Sequence, residues 1–335
     1  MGGSARVIIR ADPPLGVATL PNQGESALKT TIATRVPAGS FFDLERKDPD
    51  LIRLREVGAE SALPFALMER LVKSGTPYAE HARSLRSDNV TVAGANFDWF
   101  DAELPGEIAN EINLTDYEIV QHTNERRAAL TQALDRLSLA HPEGFARVRE
   151  FVRGLLWVGL KPGVRVSSLT SSSDPALPYV IVFSEKARHH IPPNTVSPEP
   201  SPLFLAENLL HEGTHQSISF HVLQHQVFAD GYSSKTSPKI AIAWRASQGV
   251  ARNQFWEIDR AFHATWVYNQ LLRFRRTELR RDDLTPNERA SFQSAYDAGL
   301  PAVRYLMREL ELLREHFSPH GVELLADLRH QTDQL

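Results

Sequence analysis

Five residues near the middle of the chain carry the clearest chemical signal: His211-Glu212-Gly213-Thr214-His215. On an α-helix, positions i and i+4 differ by about 40° around the axis and about 6 Å along it, so two imidazoles at this spacing converge on one ion. A chain with 13 histidines seldom produces this HExxH pattern by chance. The setting is helical, because Leu205, Leu209 and Leu210 before it and Ile218 and Val222 after it are apolar at helical spacing. The segment therefore reads as a metal-binding helix, with Glu212 as a candidate general base for a metal-bound water.

A third protein ligand must come from elsewhere, and it is not a thiolate, because the chain contains no cysteine. The stretch Trp256-Glu257-Ile258-Asp259-Arg260-Ala261-Phe262-His263 offers two candidates, His263 and Glu257. Six residues apart, they point about 120° away from each other on a helix, so they compete rather than cooperate. His221 and His225 share the motif helix, but His225 lies about 15 Å beyond His215 and cannot join the same ion. These two, and the His189-His190 pair, read as structural or peripheral residues.

The elements that must position these groups follow from pattern. Residues 1 to about 50 alternate short β-prone pieces with Pro, Gly and Asn. Apolar residues at three- and four-residue spacing predict helices over 49–74, 76–87, 115–139 and 143–157. Val164–Leu169 and Tyr179–Phe183 read as two strands joined by a turn at Ser171–Pro175. A proline-rich loop follows at 191–202. Ser201-Pro202 then starts a helix expected to run to about Phe228. A second long helix is expected over Val250–Arg280, and two or three more over 286–333. The fold class expected is α+β, predominantly helical, with a small β-sheet preceding the HExxH helix. A mostly helical N-terminal region, 1–157, with a scaffold or peptide-binding role, would pack with a catalytic region, 158–335, as one unit.

Composition narrows the function classes. A net charge of −4 and a pI of about 6.4 leave no electrostatic footprint for nucleic acid or an anionic membrane. No window approaches the roughly 18 apolar residues of a membrane span, and residues 1–13 lack the layout of a secretory signal. With no cysteine, the expectation is a cytoplasmic protein.

Three blocks taken in order suggest a family: Leu209-Leu210-His211-Glu212-Gly213-Thr214-His215, then Ala243-Trp244-Arg245, then Ala261-Phe262-His263-Ala264 with Val267-Tyr268. With the preceding Pro178–Ser184 strand, the sequence over roughly 165–275 resembles the HExxH-motif peptide-modification family encoded beside ribosomally synthesised peptides. That resemblance implies an iron(II)- and 2-oxoglutarate-dependent peptide β-hydroxylase, using O₂ and acting on a ribosomally synthesised precursor peptide. It implies His211, His215 and His263 as the metal ligands. The distal carboxylate of 2-oxoglutarate would then need an arginine, with Arg245 the first choice and Arg260 or Arg252 in reserve. Glu212 would orient a ligand or substrate rather than act as a base. The alternative is a zinc metallopeptidase of HExxH type with Glu212 as general base, and a non-enzymatic peptide-binding scaffold is a third reading.

Overall fold

A computed structural model describes residues 87–92, 94–100, 114–165, 169–173, 179–192, 195–242, 244 and 254–335. The N-terminal β-prone pieces, the helix expected over 49–74 and all but the last residue of that expected over 76–87 lie outside the described residues, and that last residue, Ser87, begins a strand. What is described is α+β and predominantly helical, as expected.

The main sheet is mixed and six-stranded, built from β1 (Ser87–Val92), β2 (Ala95–Phe100), β3 (Tyr117–Ile119), β4 (Gly154–Leu160), β5 (Ser171–Ser173) and β6 (Val180–Ser184), in the order β1-β2-β4-β6-β5. β2 and β6 run parallel to β4, and β1, β3 and β5 pair antiparallel with their neighbours. β3 continues along β4 past the end of β2, with Ile119 opposite Val158. Gly94, in the β1–β2 turn, has φ +72°, a conformation that glycine adopts at no steric cost. Two short pairs complete the β structure: β7 (His190–Ile191) with β8 (Thr195–Val196), and β9 (Lys239–Ala241) with β10 (Phe255–Glu257).

The helix expected to run through 157 stops at Phe151, and Leu155-Leu156-Trp157 belongs to strand β4. An unbroken apolar run buried on both faces is what a central parallel strand requires, and periodicity alone does not separate it from a helix. The helix expected over 115–139 begins only at Asn124, after β3, where Thr123 caps it by accepting from the Arg126 backbone N–H at 3.2 Å. Ser171–Ser173, read as a turn, is edge strand β5, whereas Val164, Arg165 and Leu169 are not in a strand and 166–168 lie outside the described residues.

Among the described residues there are six α-helices: α1 (Asn124–Ala140), α2 (Pro142–Phe151), α3 (Pro202–Gln224), α4 (Ile258–Leu279), α5 (Pro286–Leu312) and α6 (Pro319–Asp333). α3 carries the HExxH motif. Ser201 caps it through Leu203 N–H at 3.0 Å and Pro202 fills its first turn. It ends four residues earlier than expected, because His225 is already extended (φ −131°, ψ 143°). It packs against α1, α2, α4 and β5, so the run Leu203–Glu212 is buried nearly all round. Leu209 and Leu210 are fully buried, each contributing about 1.5–3 kcal/mol of transfer free energy. α2 approaches closely enough that a Cβ on Gly213 would stand 2.8 Å from Val148 Cγ2.

α4 is shorter than expected because Phe255–Glu257 pairs with β9 before the helix starts. The Tyr232 hydroxyl secures its first turn, accepting from Asp259 N–H at 3.2 Å and donating to Asp259 Oδ1 at 3.0 Å. Thr285 and Glu288 form a reciprocal capping box at the start of α5. Strand β4 runs through residues 157 and 158, and one hydrophobic core holds Trp99, Leu134 and Val148 together with Phe204, Phe262 and Leu306. Among the described residues no helix is long and apolar enough to cross a membrane.

Candidate metal centre

α3 presents His211 and His215 on adjacent turns with ring centres 4.7 Å apart, and α4 brings the ring of His263 to 4.9 Å from that of His215. Around an ion about 2.1 Å from each nitrogen, imidazole centres stand about 4.5 Å apart at a right angle and about 5.2 Å apart at a tetrahedral one. Both spacings fall in that interval. All three rings are buried. Both ring nitrogens of His211 and Nδ1 of His215 are buried without a hydrogen-bond partner among the described residues. A buried polar atom left in that state is costly, and an ion is one partner that would satisfy it. Burial holds all three imidazoles neutral, with His211 pushed down to about 3, His263 to about 4 and His215 well below its ordinary range. Neutral imidazole is the form that ligates metal.

The donor atoms are not yet gathered around one point, and among the described residues no group of three His, Asp or Glu side chains is placed to hold an ion as it stands. His263 turns its Nε2 to the carbonyl oxygen of His215 at 3.3 Å. Ligation by Nε2 would require the ring to leave that carbonyl, whereas with Nε2–H donating to it the lone pair falls on Nδ1. The other candidate, Glu257, ends β10 and directs its carboxylate to Lys239 at 2.8 Å.

Glu212 is fully buried and faces the sheet. Ser171 Oγ donates to its Oε1 and Ser173 Oγ to its Oε2, each at 2.7 Å. These serines are i and i+2 on β5, so both point to the face that α3 covers. Ser171 Oγ also lies 3.0 Å from Asn208 Oδ1, and Asn208 Nδ2 donates to the carbonyls of His190 and Ala187 at 2.7 and 3.1 Å. Burial pushes the Glu212 carboxyl up to about 7, against the opposing pull of the two serines.

One turn before His211, the buried Glu207 grips Arg275 of α4, with Arg275 Nε 2.9 Å from Glu207 Oε2 and Nη2 on Oε1. The guanidinium also donates to the carbonyls of Ala295 and Pro192. Its donors are committed to the scaffold. Of the arginines expected to hold a cosubstrate, Arg245 and Arg252 lie outside the described residues, and Arg260 lies over the Trp256 ring at 5.2 Å. Trp244 packs edge-on against both Trp256 and Tyr305.

Sequence reasoning missed Ser171, Ser173, Asn208, Glu207 and Arg275. One signal was present: Glu207-Asn208 interrupts a strongly apolar helical run, and polar groups there need buried partners. His190, read as peripheral, is buried in β7 and adds to the depression of His211. His189 is less buried and sets Nδ1 3.2 Å from the Ser197 carbonyl. Compared with known proteins, the sequence matches no family model and no curated protein.

Proposed function

We propose that this chain is an iron(II)- and 2-oxoglutarate-dependent dioxygenase that hydroxylates Cβ of a residue in a ribosomally synthesised precursor peptide. The observation that carries this reading is the engagement of Glu212. Each of its oxygens accepts from one serine, Ser171 or Ser173, beside both ring nitrogens of His211 and Nδ1 of His215, which lack partners among the described residues. A carboxylate so held orients its own helix and is poorly placed to take a proton from water. In this reading His211, His215 and His263 hold the iron, a set of nitrogen donors that suits it. Iron, O₂ and 2-oxoglutarate together supply oxidation of a C–H bond, with the keto acid leaving as succinate and carbon dioxide. Arg245 receives the distal carboxylate of the cosubstrate, with Arg260 in reserve. The buried setting of the three imidazoles keeps bulk water from the reacting centre. A cysteine-free enzyme acting on ribosomal products fits the cytoplasm.

Anaerobic addition of iron(II) and then 2-oxoglutarate tests this. A visible charge-transfer band is expected, followed on admission of O₂ and peptide by succinate. Protein that binds iron(II) yet develops no band with 2-oxoglutarate refutes the reading. The second reading, a zinc metallopeptidase, is favoured by the Glu212 carboxyl lying at about 7, where a general base works best. Peptide cleavage by the zinc form, lost in Glu212→Gln, would establish it instead.

A further inference from the structure

A second group of histidines meets where α3 ends. His221 lies in the last turn of α3, His225 is its C-cap residue, and His320 is in the first turn of α6. Their ring centres form a closed triangle, 4.5 Å for His221 and His225, 5.1 Å for His221 and His320, and 5.2 Å for His225 and His320. These are the separations that an ion bonded to three imidazoles imposes, from a right angle to a tetrahedral one.

At present the nitrogens are placed for a hydrogen bond and not for an ion. Nε2 of His221 and Nε2 of His320 are 2.8 Å apart, so one ring donates and the other accepts. Two nitrogens on one tetrahedral zinc ion stand about 3.3 Å apart, whereas these two rings now meet head-on, so exchanging the shared proton for an ion parts the nitrogens by about half an ångström and swings each ring by about 35°. Glu323, three residues along α6, brings Oε2 to 3.8 Å from Nδ1 of His320, on the opposite side of that ring. A carboxylate there favours the tautomer with hydrogen on Nδ1 and leaves Nε2 as a lone-pair donor. His225 is exposed, so water can complete the coordination. The neighbouring backbone already joins the two helices: Ser318 N–H donates to the Val227 carbonyl at 3.0 Å, and Phe228 bridges Phe317.

We propose that His221, His225 and His320 bind one zinc ion, or a divalent first-row ion of similar ligand preference, as a staple between the C-terminal helix and the end of the motif helix.

The test is metal stoichiometry of the full, untagged chain, with zinc at pH 7.5 followed by dialysis and elemental analysis. His225→Ala is the chosen variant, because the ring it removes is exposed, and circular dichroism checks that the fold is retained. It is expected to bind one ion fewer than the unmodified chain, whether that chain holds one ion or two, so the result does not depend on the HExxH site. His320→Ala is expected to do the same. With copper(II), pulsed paramagnetic resonance should count three imidazoles on this ion. Zinc should also raise the melting temperature of the unmodified chain more than that of His225→Ala. Equal stoichiometry in the unmodified chain and His225→Ala overturns the proposal, as does an ion at this site coupled to fewer than three imidazoles.

Discussion

Replacing Arg275 by methionine exposes how the two helices of the candidate centre are held together. The Arg275 side chain is 2% exposed and that of its partner Glu207 is fully buried, and the pair joins α4 to α3. The same guanidinium donates to Ala295 in α5 at 2.9 Å and to Pro192 after β7. Arg275→Met leaves a sealed carboxylate with no cation, and breaking a buried pair in this way costs about 3–5 kcal/mol. Against a typical total of about 5–15 kcal/mol, that is a large fraction of the stability. At about 1.4 kcal/mol per decade, the unfolded population rises some hundredfold to several thousandfold. Glu207→Leu should cost a similar amount by stranding the guanidinium. The double variant removes both charges, leaving only the two carbonyls short of a donor, so it should be more stable than either single variant. Burial pushes the Glu207 carboxyl upward and Arg275 opposes it. Without Arg275 the raised folded-state value means that the carboxyl stays protonated in acid and loses stability as the pH rises. Arg275→Met should therefore be less damaged near pH 5 than near pH 7.5. Urea denaturation of the four chains at both values reads all of this. Single variants that cost less than about 1 kcal/mol, or a double variant equal to the sum of the singles, would refute the reasoning.

Three further outcomes follow from the same contacts. Gly213→Ala places a Cβ 2.8 Å from Val148 Cγ2 and 3.3 Å from Val148 Cα, so α3 must move off α2 at a cost of about 1–3 kcal/mol; Val148→Ala in the same chain should recover part of it, measured by thermal unfolding. Ser173→Ala removes a donor from the buried Glu212 carboxylate and should cost about 1–3 kcal/mol, but much less in a Glu212→Ala background, a difference that a double-mutant cycle in urea checks. His141, buried between α1 and α2 with Nε2 3.1 Å from Gln270 Oε1, is pushed by burial to about 4, below its unfolded value of about 6.5. The stabilising neutral form is fully present above about pH 6.5 and is lost as the unfolded chain takes up its proton between 6.5 and 4, a drop of up to about 3 kcal/mol. His141→Asn should flatten the acid side of the stability profile by that amount.

What was legible beforehand was whatever fits within one turn of helix or one run of strand. Ser201-Pro202 announced α3, and the five residues from His211 to His215 carry their own geometry, because i and i+4 on a helix are neighbours wherever the helix sits. Val180–Phe183 read correctly as a strand. The failures share a cause. Ser171–Ser173 has the composition of a turn, and it becomes a strand through pairing with β6 and by giving hydroxyls to Glu212, some 40 residues along the chain. Arg275 reads as one of several arginines in a basic stretch until the fold sets it on Glu207, 68 residues away. The orientation of a ring is harder still. His263 and Glu257 competed as third ligand on spacing alone, and α4 brings the His263 ring beside that of His215, where the turn of one side chain decides which of its nitrogens meets the carbonyl. Local spacing therefore specifies the donor pair, while long-range contacts decide what surrounds it. Any chemistry there would depend on those surroundings, because Ser171 and Ser173 each occupy one lone pair of Glu212 and fix the orientation of its carboxylate.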